Sequence, residues 1–332
     1  VLAATPVFGY LGDHIGCRRP MLIGVLLSGV ATILFCFGAH FYLALTARLV
    51  QGAAAAATWT AGLALVAQNY AGKRVQMMGL AMVGSTAGSV VGPLAGGWLY
   101  DRGGYELPFY ITLVMVAIDT FLRITLLPGD KGTAERSPDL KALLLDKTIL
   151  IAGLSVAVAA TGWGIIEPLL PDHLRQNGAS PGQVGLLFTV STIMYGFAAP
   201  VVAWVTDRIS IKRTICFGIL GMSLSLPLLG SANNLWLSGV CLCLVNVAFA
   251  FVLNPTSAEL GNAVDRRGLN CYAAAYAVYN ITYSIGMMGA DFFATSTAEK
   301  LSFFQILVAI SGMLLLCIPL VLGVVPVQTS QT

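Results

Sequence analysis

Four ionisable residues stand inside otherwise apolar stretches, where a charge costs several kcal/mol and is functional by default. Glu167 lies in Ile165-Ile-Glu167-Pro168-Leu-Leu-Pro171. It reads either as a proton site or as a structural acid. Arg48 opens Arg48-Leu-Val-Gln51-Gly52-Ala-Ala-Ala-Ala. It either snorkels to the surface or places a charge in a transport path. Asp119 and Arg123 are four apart, one helical turn, and can pair with each other. These four are the candidates for coupling to protons. Asp291 lies near the end of another apolar stretch and is either functional or solvated. Such groups can move a proton or hold a cation. Bond-making chemistry has no support: there is no nucleophile–base pair, no metal-ligand spacing and no nucleotide loop, which argues against an enzyme.

Neutral polar groups in the same kind of stretch add to this set. Asn246, Asn254 and Asn280 either bond across helices or line a substrate path. Tyr276, Tyr279 and Tyr283 recur at i, i+3 and i+7, which puts them on one helix face. That stripe either packs in a core or faces an organic cation.

These residues must be positioned by membrane helices. The chain is 57% apolar and 10% charged, with a mean hydropathy of +0.82. Soluble domains carry about 25% charged residues. Ten apolar segments can be read, at about 21–39, 43–70, 76–100, 107–127, 149–171, 184–206, 214–232, 235–258, 269–294 and 302–325. Each reaches or approaches the ~20 residues that cross the hydrocarbon layer as a helix. Strand-like alternation is absent, so the fold class is all-α membrane protein. The polar stretch 128–147 separates an N-terminal bundle, 1–127, from a C-terminal six-helix bundle, 148–332.

A charged run near the front is the most specific feature. Gly9-Tyr-Leu-Gly-Asp13-His14-Ile-Gly16-Cys17-Arg18-Arg19-Pro20 joins two apolar segments, as a tight loop at a membrane surface would. It recurs 194 residues later as Ala203-Trp-Val-Thr-Asp207-Arg208-Ile-Ser-Ile-Lys212-Arg213. Asp207 matches Asp13, and Lys212-Arg213 match Arg18-Arg19. If the first copy faces the cytoplasm and the chain alternates, that side receives Arg18, Arg19, Lys73, Arg74, Lys131, Arg136, Lys141, Lys147, Arg208, Lys212, Arg213, Arg266 and Arg267. The other side receives Arg102, Arg175 and Lys300. This asymmetry sets the expected orientation.

The duplicated run resembles the loop signature between the second and third helices of major facilitator superfamily transporters. That resemblance implies two pseudo-repeated helical bundles and a gating role for Gly9, Asp13, Gly16, Arg18, Arg19, Asp207, Arg208, Lys212 and Arg213. His14 and Cys17 replace basic residues usual in the signature. The Arg48 segment is similar to the fourth-helix motif of proton-coupled members. Gly84-x3-Gly88-x3-Gly92-Pro93-x2-Gly96-Gly97 resembles the fifth-helix antiporter motif. There Gly88, Gly92, Gly96 and Gly97 are expected to form a smooth groove and Pro93 to bend the helix. The segments around Glu167 and Tyr272–Tyr283 resemble the seventh and eleventh helices of vesicular amine transporters. The acids those proteins carry on helices ten and eleven read here as Leu253-Asn254 and Asn280.

The resemblance implies a proton-coupled antiporter that exports a small organic compound, amphipathic or cationic, by alternating access. The alternatives are a uniporter or symporter for another small solute, and a non-transporting truncated membrane protein. Only eight residues precede Gly9, so the first helix and much of the second are expected to be absent from the chain. That leaves about ten full spans and a partial one. The implied partners are a small-molecule substrate, protons and the lipid bilayer, with no cofactor, no metal and no nucleic acid. The expected state is a monomer, multi-pass in the plasma membrane or a vesicle membrane.

Overall fold

The computed structural model describes residues 1–37, 41–127, 146–268, 271–297 and 301–324. Most of the polar linker, 128–145 with Lys131, Arg136 and Lys141, lies outside the described residues, as does Lys300. The described chain is helical throughout, with no strand among the described residues. The helices are α1 (Thr5–Ile15), α2 (Arg18–Cys36), α3 (Phe41–Asn69), α4 (Arg74–Gly103), α5 (Leu107–Leu126), α6 (Lys147–Gln176), α7 (Pro181–Ile209), α8 (Ile211–Gly230), α9 (Leu235–Arg266), α10 (Tyr272–Thr297) and α11 (Phe303–Val324). Each label is one lower than the helix number expected from the family pattern.

Among the described residues, nine helices, α2 to α9 and α11, are long and apolar enough to cross a bilayer. The ninth of the ten expected spans, 269–294, forms the 26-residue helix α10 but falls outside that set. Its tyrosines, Asn280, Thr282 and Ser284 dilute its apolar content. A helix this polar needs protein neighbours around it. The linker also ends earlier than expected. Asp146 caps α6, accepting from Thr148 N at 2.7 Å and Ile149 N at 3.1 Å, and Lys147 is already helical.

Pro93, Pro168 and Pro171 lie inside helices. α6 continues through Pro168 and Pro171, so Glu167 sits within an unbroken helix. α4 likewise runs through Pro93. Membrane helices tolerate such residues because neighbouring groups satisfy the freed carbonyls.

The chain divides into two compact units. The first holds Val1–Ala71, Val91–Leu143 and Gly261–Ile281; the second holds Gly72–Val90, Leu144–Leu260 and Thr282–Thr332. α4 and α10 therefore each contribute to both. Within the first unit, α2 packs on α3 and α5, and α1 on α3. Small residues set the α2–α3 distance: a Cβ on Gly24 would lie 2.6 Å from Thr58 Oγ1 and 3.0 Å from Ala57 Cβ. The alanine run after Arg48 is thus a helix-packing surface, as its composition implied. Within the second unit, α11 packs on α8 and α6, and α7 packs on α8.

Candidate functional site

The first signature builds its contact from the glycines up. α1 ends at Gly16, whose φ of 84° suits a residue without Cβ. Asp13, one turn earlier, is 1% exposed. Its Oδ1 accepts from Ala273 N at 2.8 Å and its Oδ2 from Ala274 N at 2.9 Å. Those amides belong to the first turn of α10, where N–H groups have no partner of their own and the helix dipole favours an anion. Gly9 and Gly12 permit the approach. A Cβ on Gly12 would fall 2.5 Å from Ala273 Cβ, and one on Gly9 2.7 Å from Ala277 Cβ. Burial pushes the Asp13 carboxyl up to about 6, while the two amide bonds and nearby His14 pull it back down. Arg18 Nη2 donates to Ile124 O on α5. Arg19 is exposed.

The second signature repeats the frame with different contacts. Asp207 is exposed and accepts from Gln76 Nε2 at 3.2 Å, in the first turn of α4. Arg208 stacks over the Trp204 ring, 3.7 Å from its centroid. Ser210 occupies the place of Gly16 with nearly the same backbone, φ 90° and ψ 151° against 84° and 157°.

The coupling candidates separate between the units. In the first, Arg48 is exposed, donates to Gln51 Oε1 at 3.0 Å and lies over Phe35 at 5.1 Å. The two polar residues of that motif therefore hold each other. Asp119 and Arg123 form the expected ion pair at 2.9 Å, and Arg123 also reaches Met21 O at 3.4 Å. That pair ties α5 to the start of α2. Asn280 points its amide at Thr5 Oγ1 (3.4 Å) and Thr60 Oγ1 (3.5 Å), a cross-helix polar cluster. Tyr276 and Tyr279 are buried in the same unit.

In the second unit Glu167 is exposed and accepts from Trp163 Nε1 at 2.9 Å. Trp163 stacks on Phe249 (6.0 Å, 19°) and meets Phe188 edge-on (6.3 Å, 79°). Tyr195 lies 6.2 Å from Phe249 and donates to Asn254 Oδ1 at 3.3 Å. Tyr283 is near enough to Glu167 to feel its charge. Among the described residues, the amide nitrogens of Asn246 and Asn254 are buried without a hydrogen-bond partner. An acid beside aromatic faces and unused donors can hold an organic cation with a polar substituent. Sequence reasoning named Glu167, Asn246, Asn254 and Tyr283 but missed Trp163, Phe188, Tyr195 and Phe249. Trp163 stands one turn before Glu167, the only local signal available.

Other expectations fared differently. Glu259, at the end of an apolar segment, is buried, 1% exposed. Asp291 is exposed. A Cβ added to Gly88, Gly92, Gly96 or Gly97 would meet nothing within 4 Å among the described residues. Gly286, the matching glycine of α10, is packed against the Ala157 carbonyl, and Thr161 Oγ1 donates to Gly286 O at 3.1 Å.

Long apolar helices with a duplicated charged signature, and charges held inside spans, define a multi-pass membrane protein. The family profile of the Major Facilitator Superfamily matches residues 1–157 and 152–332, and the chain belongs to that superfamily. It is 28% identical over 297 residues to the chromaffin granule amine transporter of Rattus norvegicus, covering 86% of this chain and 56% of that protein. It is 27% identical over 323 residues to a probable vesicular acetylcholine transporter-B of Danio rerio, covering 92% and 64%. The chain thus spans little more than half the length of the amine transporter it matches. The fold is also that of the human organic anion transporter MFSD10 (TM-score 0.78, 19% identity, covering 96% of this chain and 80% of that one). The proton:xylose symporter XylE shares it too (0.79, 14%, covering 100% and 85%).

Proposed function

We propose that the chain works as a proton-coupled antiporter that exports a small amphipathic or cationic organic compound by alternating access of two pseudo-repeated bundles, 1–127 and 148–332. The Glu167 cluster carries this reading: an intraspan carboxylate, accessible and bonded to the Trp163 indole, among aromatic faces that suit a cation. One carboxylate that binds either a proton or the cation makes the two compete for a single state, which is the requirement for exchange. The names of its amine and acetylcholine relatives agree with a cationic substrate. Asn254 and Asn280, where those transporters carry acids, argue for a different set of substituents on it.

Proteoliposomes with an imposed pH gradient test the reading, using ethidium and tyramine as probes. Glu167→Gln should still bind a probe, read by tryptophan quenching, yet lose gradient-driven accumulation by at least tenfold. Unchanged accumulation in that variant removes Glu167 from the coupling step.

A further inference from the structure

The second signature carries more positive charge than its own contacts use. Arg208 and Arg213 are exposed and Lys212 is half-buried, and none of the three forms an ion pair among the described residues. Asp207, the acid next to Arg208 in the chain, takes a hydrogen bond from the Gln76 amide. Ser210 is the single residue between α7 and α8, so the turn gathers Arg208 from the end of α7 with Lys212 and Arg213 from the first turn of α8. That first turn has no acidic residue and no side-chain cap. Its free N–H groups and the helix dipole add to the positive field rather than offset it. The Ser210 hydroxyl is buried with no hydrogen-bond partner among the described residues.

An apolar stripe leads into this charge. Phe197, Val201 and Trp204 are 69%, 50% and 54% exposed. With Arg208 they fall at i, i+4, i+7 and i+11 of α7, one continuous face. Trp204 stands where the stripe meets the cations, the position an indole prefers at a membrane–water boundary. A free inorganic anion would have no use for the stripe. A phospholipid would use both parts, its acyl chain along Phe197 and Val201 and its phosphate at the basic turn. We infer that α7 and the α7–α8 turn form a binding site for one anionic phospholipid, its phosphate held by Arg208, Lys212 and Arg213. The first signature offers no such site, because Arg18 is turned onto the Ile124 carbonyl.

Native mass spectrometry of the full chain, purified in mild detergent and mixed with equal mole fractions of phosphatidylglycerol and phosphatidylcholine, tests this. Phosphatidylglycerol should be retained preferentially, by about fivefold for each cation that contributes. The triple variant Arg208→Gln/Lys212→Gln/Arg213→Gln should lose the preference. Arg102→Gln should keep it, although Arg102 also stacks on a tryptophan, Trp98, at 4.0 Å. Equal retention of the two lipids by the unmodified chain overturns the site. So does a preference that survives the triple variant. Displacement of the lipid by an equal concentration of inorganic phosphate makes it a free-anion site and overturns the lipid assignment. If the triple variant fails to fold, the unmodified chain decides: the preference must fall as ammonium acetate rises, and one indifferent to salt overturns the proposal.

Discussion

Asp13 and Asp207 occupy the same place in two copies of one signature, and the structure treats them differently. Asp13 is buried and clasps two backbone amides at the start of α10; Asp207 is exposed and holds one side-chain amide at 3.2 Å. The acids are identical, so the difference comes from the residues around them. Gly9 and Gly12 let α10 approach until its Ala273 and Ala277 methyls fill the missing Cβ positions. Their counterparts in the second copy are Ala203 and Thr206, both buried. Asp207 there meets the Gln76 side-chain amide, in the first turn of α4, rather than backbone N–H groups. The glycine pair is what lets the first carboxylate reach a helix N-terminus.

The sharpest way to break that comparison is to remove each acid in turn. Asp13→Ala should lower stability by about 2 kcal/mol, within the range for hydrogen bonds to a charged group. Asp207→Ala should change it by less than about 0.5 kcal/mol, as exposed polar contacts do. Thermal unfolding in detergent, followed by tryptophan emission, measures both. Equal losses would mean that the two copies latch equally.

Next in size is the packing that permits the latch. Gly12→Val should cost about 1–3 kcal/mol through overpacking against Ala273. Its counterpart Thr206→Val removes only a hydroxyl that bonds within its own helix, to Val202 O at 2.7 Å. The same unfolding assay should find that second change much the smaller. If Gly12→Val proves harmless, close approach is not what sets the two copies apart.

What the sequence made legible divides along the same line. The spans, the all-α class and the repeated signature follow from local pattern, because apolar length and residue spacing are local properties. Asp119 and Arg123 pair as their i, i+4 spacing implied. The partners of Asp13 were not legible. They lie 260 residues away, and no local periodicity encodes which helix end meets which acid. The same holds for Trp163 and Phe249, which stack from α6 and α9. The span read at 149–171 runs through Pro168, and the helix does the same. The tyrosine stripe of α10 reads from its spacing as one face, for packing or for a cation. Yet Tyr276 and Tyr279 fall in the first unit and Tyr283 in the second, a division invisible to helical spacing.

A smaller effect sharpens the comparison at the turn. Gly16 and Ser210 share a backbone conformation that is nearly reserved for glycine, and only Ser210 has a Cβ to strain it. Ser210→Gly should therefore stabilise the chain by about 1 kcal/mol, and Gly16→Ser should destabilise it by a similar amount. Opposite signs in one unfolding series would confirm that the second copy holds strain the first lacks. Two losses of equal size would show that the Ser210 hydroxyl does more than its missing partner implies.

The smallest expected effect is a pH dependence that only the first copy can have. Burial raises the folded-state Asp13 carboxyl from 3.8 to about 6. Two consequences of opposite sign follow. As pH falls through about 6, Asp13 gains a proton and one oxygen stops accepting, so the latch to Ala273 and Ala274 loosens. Between about 6 and 3.8, however, the folded chain binds a proton that the unfolded chain does not. The contribution of Asp13 to global stability therefore rises as pH falls through that window. Hydrogen exchange separates the two. Amide protection at Ala273 and Ala274, corrected for the intrinsic pH dependence of exchange, should drop between pH 7 and pH 5 while the melting temperature does not. Asp13→Asn is the necessary control. With the carboxylate gone, protection at the two alanines should be low and flat with pH. A pH-dependent drop that persists in Asp13→Asn would remove Asp13 as the titrating latch.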